Sequence, residues 1–161
     1  MKKFLTLLLT IITFISYSQT NIELLVFDAL NEYRVKNNFS TLEFNDTVLL
    51  AAEHHNTYLK ENGYPFIVPL SNPHREKILV RPLDRLFKYG IITIKSGECI
   101  VYVPRGMGST DEDLVNNMIS WWDSSPTHKR VILDSDFTIG AVSVVEVQSI
   151  YLVATLNVIK R

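Results

Sequence analysis

Two apolar segments in the last quarter of the chain constrain its fold more than any other feature. Residues 138–147 and 150–159 are rich in valine and isoleucine, and a short turn at Gln148-Ser149 separates them. This pattern predicts an antiparallel hairpin. Polar residues do not alternate cleanly with apolar ones in either segment. We therefore expect both faces of the two strands to be covered by other parts of the chain.

Predicted helices can supply that cover. Apolar residues recur at three- and four-residue steps in four segments, namely 21–37, 47–62, 82–90 and 111–122. Asp46 and Thr110 have side chains suited to capping the second and fourth of these helices. Gly63 is expected to end the second helix, because glycine readily takes the left-handed conformation found after a helix.

The third helix is the shortest of the four. Pro82 suits its first position, and Leu83, Leu86 and Phe87 are expected to form its apolar face. It precedes a further predicted strand at 98–103. Helices on both sides of a central sheet then give an α+β chain, arranged as a three-layer α-β-α sandwich with a C-terminal antiparallel hairpin.

The N-terminus has the pattern of an exported signal peptide. Lys2 and Lys3 precede an apolar run at 4–15 and the small residues around Ser18. The run is shorter than the roughly 20 residues that a bilayer core requires, although an uncleaved N-terminal anchor is the alternative. We expect residues 1–18 to be removed and 19–161 to form a single domain. The mature protein would then be secreted, extracellular or periplasmic, with no stable membrane anchor.

Charge and cysteine content exclude several classes of protein. The net charge is −1, and removal of Lys2 and Lys3 lowers it to −3. Acidic and basic residues are interleaved without a basic block, so nucleic acid is not an expected partner. Cys99 is the only cysteine. The domain therefore has no internal disulfide, and a lipoprotein anchor is not available because Cys99 lies far from the predicted cleavage point.

Several short motifs, in this order, resemble the CAP superfamily (the cysteine-rich secretory, antigen 5 and pathogenesis-related 1 proteins), and in particular its small bacterial members with an SCP domain. They are Leu30-Asn31-Glu32-Tyr33-Arg34, Leu42-Glu43-Phe44-Asn45, Ala51-Ala52 with His55, Gly97-Glu98-Cys99-Ile100, Trp122-Asp123-Ser124-Ser125-Pro126-Thr127-His128 and Phe137-Thr138-Ile139-Gly140. The similarity extends over about residues 22–159. It implies an α-β-α sandwich, the same arrangement that the apolar pattern predicts.

The resemblance also implies a cavity that holds a divalent cation. Carried over to this chain, its ligands would be His74, Glu98 and His128. Two imidazoles and one carboxylate suit zinc with an open fourth position. Ser125 stands where the eukaryotic members have a second acid, and it would line the cavity together with Cys99 and Trp122.

Local structure supports a neutral imidazole at His128. Ser125 is expected to cap a helix in which Pro126 is the first residue and His128 the third. The partial positive charge of a helix N-terminus disfavours a protonated imidazole, and a metal ligand must be neutral. Two alternatives need no metal. The Ser125-Pro126 pair is explained by capping alone, and Glu98 with His128 is explained as a buried hydrogen-bonded pair.

Other candidate residues have simpler explanations. His54 and His55 are adjacent on a helix and face different directions, so we expect His54 in solvent and His55 packed beneath the core. Cys99 is explained as a small buried strand residue, and the alternative is a thiol beside the cavity that binds a soft metal. At least one of Trp121 and Trp122 is expected in the core, with the other lining the cavity or a groove.

Two functions remain open at this point. The first is a binding module for an extracellular ligand, which could be lipid-like, a glycan or a protein. The second is a protease- or esterase-like hydrolase that uses the four residues His74, Glu98, Ser125 and His128. A capping role for Ser125 would occupy its oxygen, and the chain has no Gly-x-Ser-x-Gly motif. The sequence therefore favours the binding module and assigns no catalytic residue.

Overall fold

The computed structural model describes residues 21–63 and 81–161 of this chain. Four strands form one sheet in the spatial order β1-β3-β4-β2. The elements in chain order are α1 (Asn21–Lys36), β1 (Glu43–Phe44), α2 (Asp46–Glu61), α3 (Pro82–Lys88), β2 (Ser96–Pro104), a short 3₁₀ turn (Arg105–Met107), α4 (Asp111–Ser124), α5 (Pro126–Ile132), β3 (Ile139–Val147) and β4 (Tyr151–Ile159).

The predicted C-terminal hairpin is confirmed. Strands β3 and β4 pair antiparallel along their full length, and β2 pairs antiparallel with the other side of β4. Gln148 and Ser149 form the turn with φ angles of 53° and 55°. A turn of two residues with positive φ angles has a twist that matches the twist of two antiparallel strands. The two-residue strand β1, which pairs parallel with β3, was not predicted.

Helices cover both faces of the sheet, as the continuous apolar strands predicted. On one face, α1, α4 and α5 bury a core that contains Leu30, Met118 and Trp122 together with Cys99 of β2. On the other face, α2 packs on the sheet through residues such as Val48 and Leu49, and α3 contributes Leu86. The next residue of β2, Ile100, belongs to a core on this second face, because successive side chains of a strand point to opposite sides.

Most helix ends lie where the sequence placed them, with one correction. Asn45, not Asp46, caps α2, and its Oδ1 accepts hydrogen bonds from the backbone nitrogens of Thr47 and Val48 at 3.0 Å each. Asp46 instead lies in the first turn, where its charge suits the helix dipole. Thr110 caps α4 as predicted, accepting from the backbone nitrogen of Asp113.

The predicted apolar face of α3 was wrong at one position. Leu86 is fully buried, but Phe87 is 47% exposed. The inward side of this seven-residue helix is taken by Leu86 and by the buried Arg85. Consecutive helical residues point about 100° apart, so Phe87 turns away from the sheet.

Two predictions fall outside the described residues. The signal peptide at 1–18 is one, and the segment 64–80, which contains His74, is the other. Among the helices of 21–63 and 81–161, none is long and apolar enough to span a bilayer.

Candidate functional site

Glu98 lies in the protein interior, on the sheet face that α2 and α3 cover. Nη2 of Arg85 donates to its Oε2 at 2.5 Å, and the two side chains are 0% and 1% exposed. A buried carboxylate needs such a partner, because an isolated charge is strongly disfavoured away from water. Arg85 reaches Glu98 from the inward side of α3.

Two further side chains among the described residues belong to this polar cluster. His55 on α2 is fully buried, with its Nε2 3.8 Å from Oε1 of Glu98. Asn157 stands directly opposite Glu98 on β4. In the amide orientation that satisfies both of its ends, Asn157 donates to Oε2 of Glu98 at 3.0 Å and accepts from the backbone nitrogen of Ala52 at 3.2 Å. The cluster of His55, Arg85, Glu98 and Asn157 ties α2 and α3 to the sheet.

Sequence reasoning missed Arg85 and Asn157 as partners of Glu98. One signal was present for each residue. Asn157 interrupts the otherwise apolar end of β4, and Arg85 directly precedes the inward-facing Leu86. Polar residues at such positions are rarely buried without a partner.

The expectation that His55 packs beneath the core is confirmed, whereas His54 is half-buried and bonds to the Tyr89 hydroxyl at 3.0 Å.

Cys99 points to the other face of the sheet. Its side chain is fully buried among α1, α4 and α5, and its Sγ lies 3.8 Å from the backbone oxygen of His128. Burial, and secondly the charge of Glu98, raise the pKa of the Cys99 thiol far above its ordinary value. The residue therefore stays a neutral thiol at physiological pH, as expected of a small buried side chain and not of a soft-metal ligand.

Ser125 joins α4 to α5, as the sequence predicted. It precedes Pro126, the first residue of α5, and this places His128 third. However, the Ser125 side chain makes no capping hydrogen bond, so the prediction that its oxygen is occupied in this way was wrong. The backbone of Ser125 instead bonds to both helices, because its nitrogen donates to the Trp122 oxygen and its oxygen accepts from the Lys129 nitrogen.

The two predicted metal ligands that the structure describes, Glu98 and His128, occupy different parts of the fold. Glu98 faces α2 and α3, whereas the backbone of His128 contacts Cys99 on the opposite face of the sheet. His74 lies outside the described residues. Within residues 21–63 and 81–161, no group of three or more His, Cys, Asp or Glu side chains is arranged to hold a metal ion. The set of His74, Glu98 and His128 therefore stays a prediction.

The two tryptophans have different environments. Trp122 is fully buried in the core beside Cys99, and within the described part of the chain its indole Nε1 has no hydrogen-bond acceptor. Trp121 is only partly buried. Its ring meets Tyr102 edge-to-face, with centroids 5.8 Å apart and an interplanar angle of 88°. Trp121 is therefore the tryptophan that reaches the surface.

The model of the CAP family, described as the cysteine-rich secretory protein family, matches residues 27–157 of this chain. The chain belongs to the CAP family. Among curated proteins, no significant match to the sequence was found.

Solved structures of three bacterial proteins have a similar fold. An outer surface protein from Borrelia burgdorferi superposes with a TM-score of 0.70 at 19% identity, covering 88% of this chain and 94% of its own. An extracellular protein containing an SCP domain from Bacillus anthracis gives a TM-score of 0.65 at 22% identity, over 89% of this chain. A cysteine-rich secretory protein from Staphylococcus aureus gives 0.61 at 14% identity, over 90% of this chain. This chain spans only 41% and 40% of the latter two.

Two motif residues of this CAP domain have a clear structural role. Arg34 is 1% exposed and donates to the backbone oxygens of Ser40 at 2.7 Å and Phe137 at 3.1 Å, and also to that of Ile132. Tyr33 donates to the Asp123 carboxylate. The Arg34 bonds connect α1 to the segments that precede β1 and β3, and the Tyr33 bond connects α1 to α4. These two motif residues therefore stabilise the fold.

Proposed function

We propose that this protein is an exported CAP domain that acts as a binding module and catalyses no hydrolysis. Export is supported by Lys2 and Lys3 ahead of the apolar run at 4–15. It is also supported by the names of two structural relatives, which describe an outer surface protein and an extracellular protein. Its site of action would be outside the cytoplasm, either in the periplasm or beyond the cell surface.

One observation carries the choice of a binding module over a hydrolase. The Glu98 carboxylate, the acid that a hydrolytic site would need, is 1% exposed and bonded to Arg85. A general acid or base must come within hydrogen-bond reach of the proton that it transfers. A carboxylate held by a guanidinium beneath α2 and α3 lacks that reach, so Glu98 is better explained as a structural residue.

A single preparation tests both parts of this proposal. The full chain is expressed in a bacterial host, and we expect protein recovered outside the cytoplasm to begin at Gln19 by mass spectrometry. That protein should hydrolyse p-nitrophenyl acetate and casein no faster than its Ser125→Ala and His128→Ala variants. A protein that keeps residues 1–18 in the cytoplasm would contradict export. Turnover that disappears in Ser125→Ala would establish the hydrolase.

Zinc binding by His74, Glu98 and His128 is a separate prediction from the proposed binding function, and the described neighbours of Glu98 do not favour it. An ion held by His74, Glu98 and His128 would have to displace Arg85 from the carboxylate. The ion would also have to bridge Glu98 and His128, although α5, which carries His128, packs on the other face of the sheet. The proposed binding function therefore includes no step that depends on a metal.

Thermal unfolding with and without zinc decides this point. If the three residues hold zinc, the melting temperature at pH 7.5 should rise with zinc concentration. The gain should fade toward pH 5, because a histidine side chain binds metal only when its imidazole is neutral. His128→Ala should remove the gain. A melting temperature that zinc leaves unchanged in both proteins would rule out the cation.

A further inference from the structure

Beyond its acidic first turn, α4 exposes uncharged polar residues to solvent. Asn116, Ser120 and Ser124 are exposed and Asn117 is partly buried, and no charged residue occurs between 114 and 122. Asparagine and serine are poor helix formers, whereas lysine and glutamate at the same exposed positions would stabilise the helix. This face therefore keeps neutral amides and hydroxyls at a cost in helix stability, which points to a binding role.

An open groove of about 410 Å³ lies at the start of this face. Its lining residues are small or polar apart from one methionine, and they are Gly106, Met107, Gly108, Ser109, Asp113, Asn116 and Asn117. Nδ2 of Asn117 donates to the backbone oxygen of Met107 at 3.1 Å and holds the loop against α4. A Cβ at Gly108 would lie 2.8 Å from that of Asp113, so the loop packs closely on the helix. The groove is therefore already formed without a ligand.

A group of aromatic rings lies farther along α4, beyond the residues that line the groove. Trp121 follows Asn117 by four residues and so lies on the same side of the helix. Its partly buried ring meets Tyr102 edge-to-face at 5.8 Å, and Tyr102 meets Tyr151 at 5.9 Å. Met107 is 48% exposed beside the groove. The surface thus combines amides and hydroxyls with an aromatic ring whose orientation is fixed by its neighbours.

We propose that the α4 face, defined here as the groove residues together with Ser120 and Trp121, binds a neutral oligosaccharide. This inference rests on the proposed binding function and names its ligand class. A sugar ring presents hydroxyls around its edge and C–H groups on its faces. Amide and hydroxyl side chains can form hydrogen bonds with the sugar hydroxyls, and an indole ring can stack on the C–H face of the sugar. The groove volume is within the range of small-molecule sites.

Charge and shape favour a neutral sugar over the other candidate ligands. The one ionisable residue of the α4 face is Asp113, whose carboxylate accepts from the backbone nitrogens of Ser109 and Thr110. A negative residue disfavours acidic glycans and anionic lipid headgroups. The groove is open and mostly polar, whereas an acyl chain requires an enclosed apolar cavity.

Calorimetric titration of the mature protein with neutral hexasaccharides tests this proposal. The probes are the hexamers of N-acetylglucosamine and of β-1,4-glucose, with heparin and phosphatidylcholine vesicles as comparison ligands. We expect saturable binding of at least one neutral hexamer. Asn117→Ala and Trp121→Ala should each weaken it by about tenfold or more, since each removes a central contact. Thr57→Ala is the matched control, because that exposed hydroxyl donates to the Glu53 backbone oxygen of its own helix α2.

A double variant separates ligand binding from helix stability. Asn116→Lys with Ser120→Lys should raise the melting temperature, because lysine is the better helix former, and should abolish sugar binding. Sugar binding that survives in this variant, or no binding of either hexamer at millimolar concentration, would overturn the sugar proposal. Binding of heparin or vesicles alone would also overturn it while leaving the binding module intact. Cleavage of the hexamer, detected by chromatography, would instead contradict the binding module.

Discussion

Replacing Arg85 with alanine should lower the free energy of unfolding by about 3 to 5 kcal/mol, because it leaves the buried Glu98 carboxylate without its charged partner. Both side chains are at most 1% exposed, so bulk water does not solvate the carboxylate in place of the guanidinium. His55 and Asn157 would remain near the carboxylate, but neither supplies a permanent charge. Urea unfolding followed by circular dichroism measures the change.

The same helix provides the control for this variant. Arg81, directly before α3, forms an ion pair with Asp84 at 2.8 Å, with the two side chains 66% and 28% exposed. Arg81→Ala should cost far less stability than Arg85→Ala, because exposed ion pairs contribute little. Equal costs for Arg81→Ala and Arg85→Ala would show that the buried pair does not hold α3 on the sheet. The double variant Arg85→Met, Glu98→Gln should recover part of the loss, since no unpaired charge remains.

Trp122→Ala should also cost on the order of 3 to 5 kcal/mol, since it removes a large side chain from a packed core. Trp122 is fully buried among residues of α1, α4, α5 and the sheet. Its indole Nε1 has no acceptor within the described residues, so the substitution breaks no hydrogen bond there. The loss is therefore one of packing, and chemical denaturation should detect it as a lower midpoint with a similar slope.

Its neighbour Trp121 serves as the control for the core position. Trp121 is only partly buried, so Trp121→Ala should cost clearly less than Trp122→Ala. Trp122→Phe should fall between wild type and Trp122→Ala, because the smaller ring fills most of the same space. A nearly neutral Trp122→Ala would mean that the indole is not a core residue.

The sequence predicted the sandwich because apolar patterning and helix ends depend on local rules. The continuous apolar character of β3 and β4 required cover on both faces, and Gly63 and Thr110 mark helix ends as expected. Strand β1 escaped prediction because two residues carry no periodic pattern, and its pairing with β3 depends on contacts far apart in the chain.

The candidate site was harder to predict, since it depends on which elements meet in space. Nothing local in the sequence brings Arg85 of α3, His55 of α2 and Glu98 of β2 together. One feature of the site, the opposite directions of the Glu98 and Cys99 side chains, could have been predicted. Glu98 and Cys99 are adjacent on a strand, and strand alternation sends their side chains to opposite faces of the sheet. A cavity that includes both side chains on one face is therefore disfavoured from the sequence alone.

The position of Cys99 has a consequence for the proposed export, which would bring the protein into an oxidising compartment. A lone accessible sulfur there is prone to mixed disulfides and to covalent pairing of two chains. Because the Cys99 sulfur has no exposed surface and remains protonated, neither oxidant nor a second thiol can attack it while the chain is folded. The native protein is thereby shielded from unwanted cross-linking, although it carries a single cysteine.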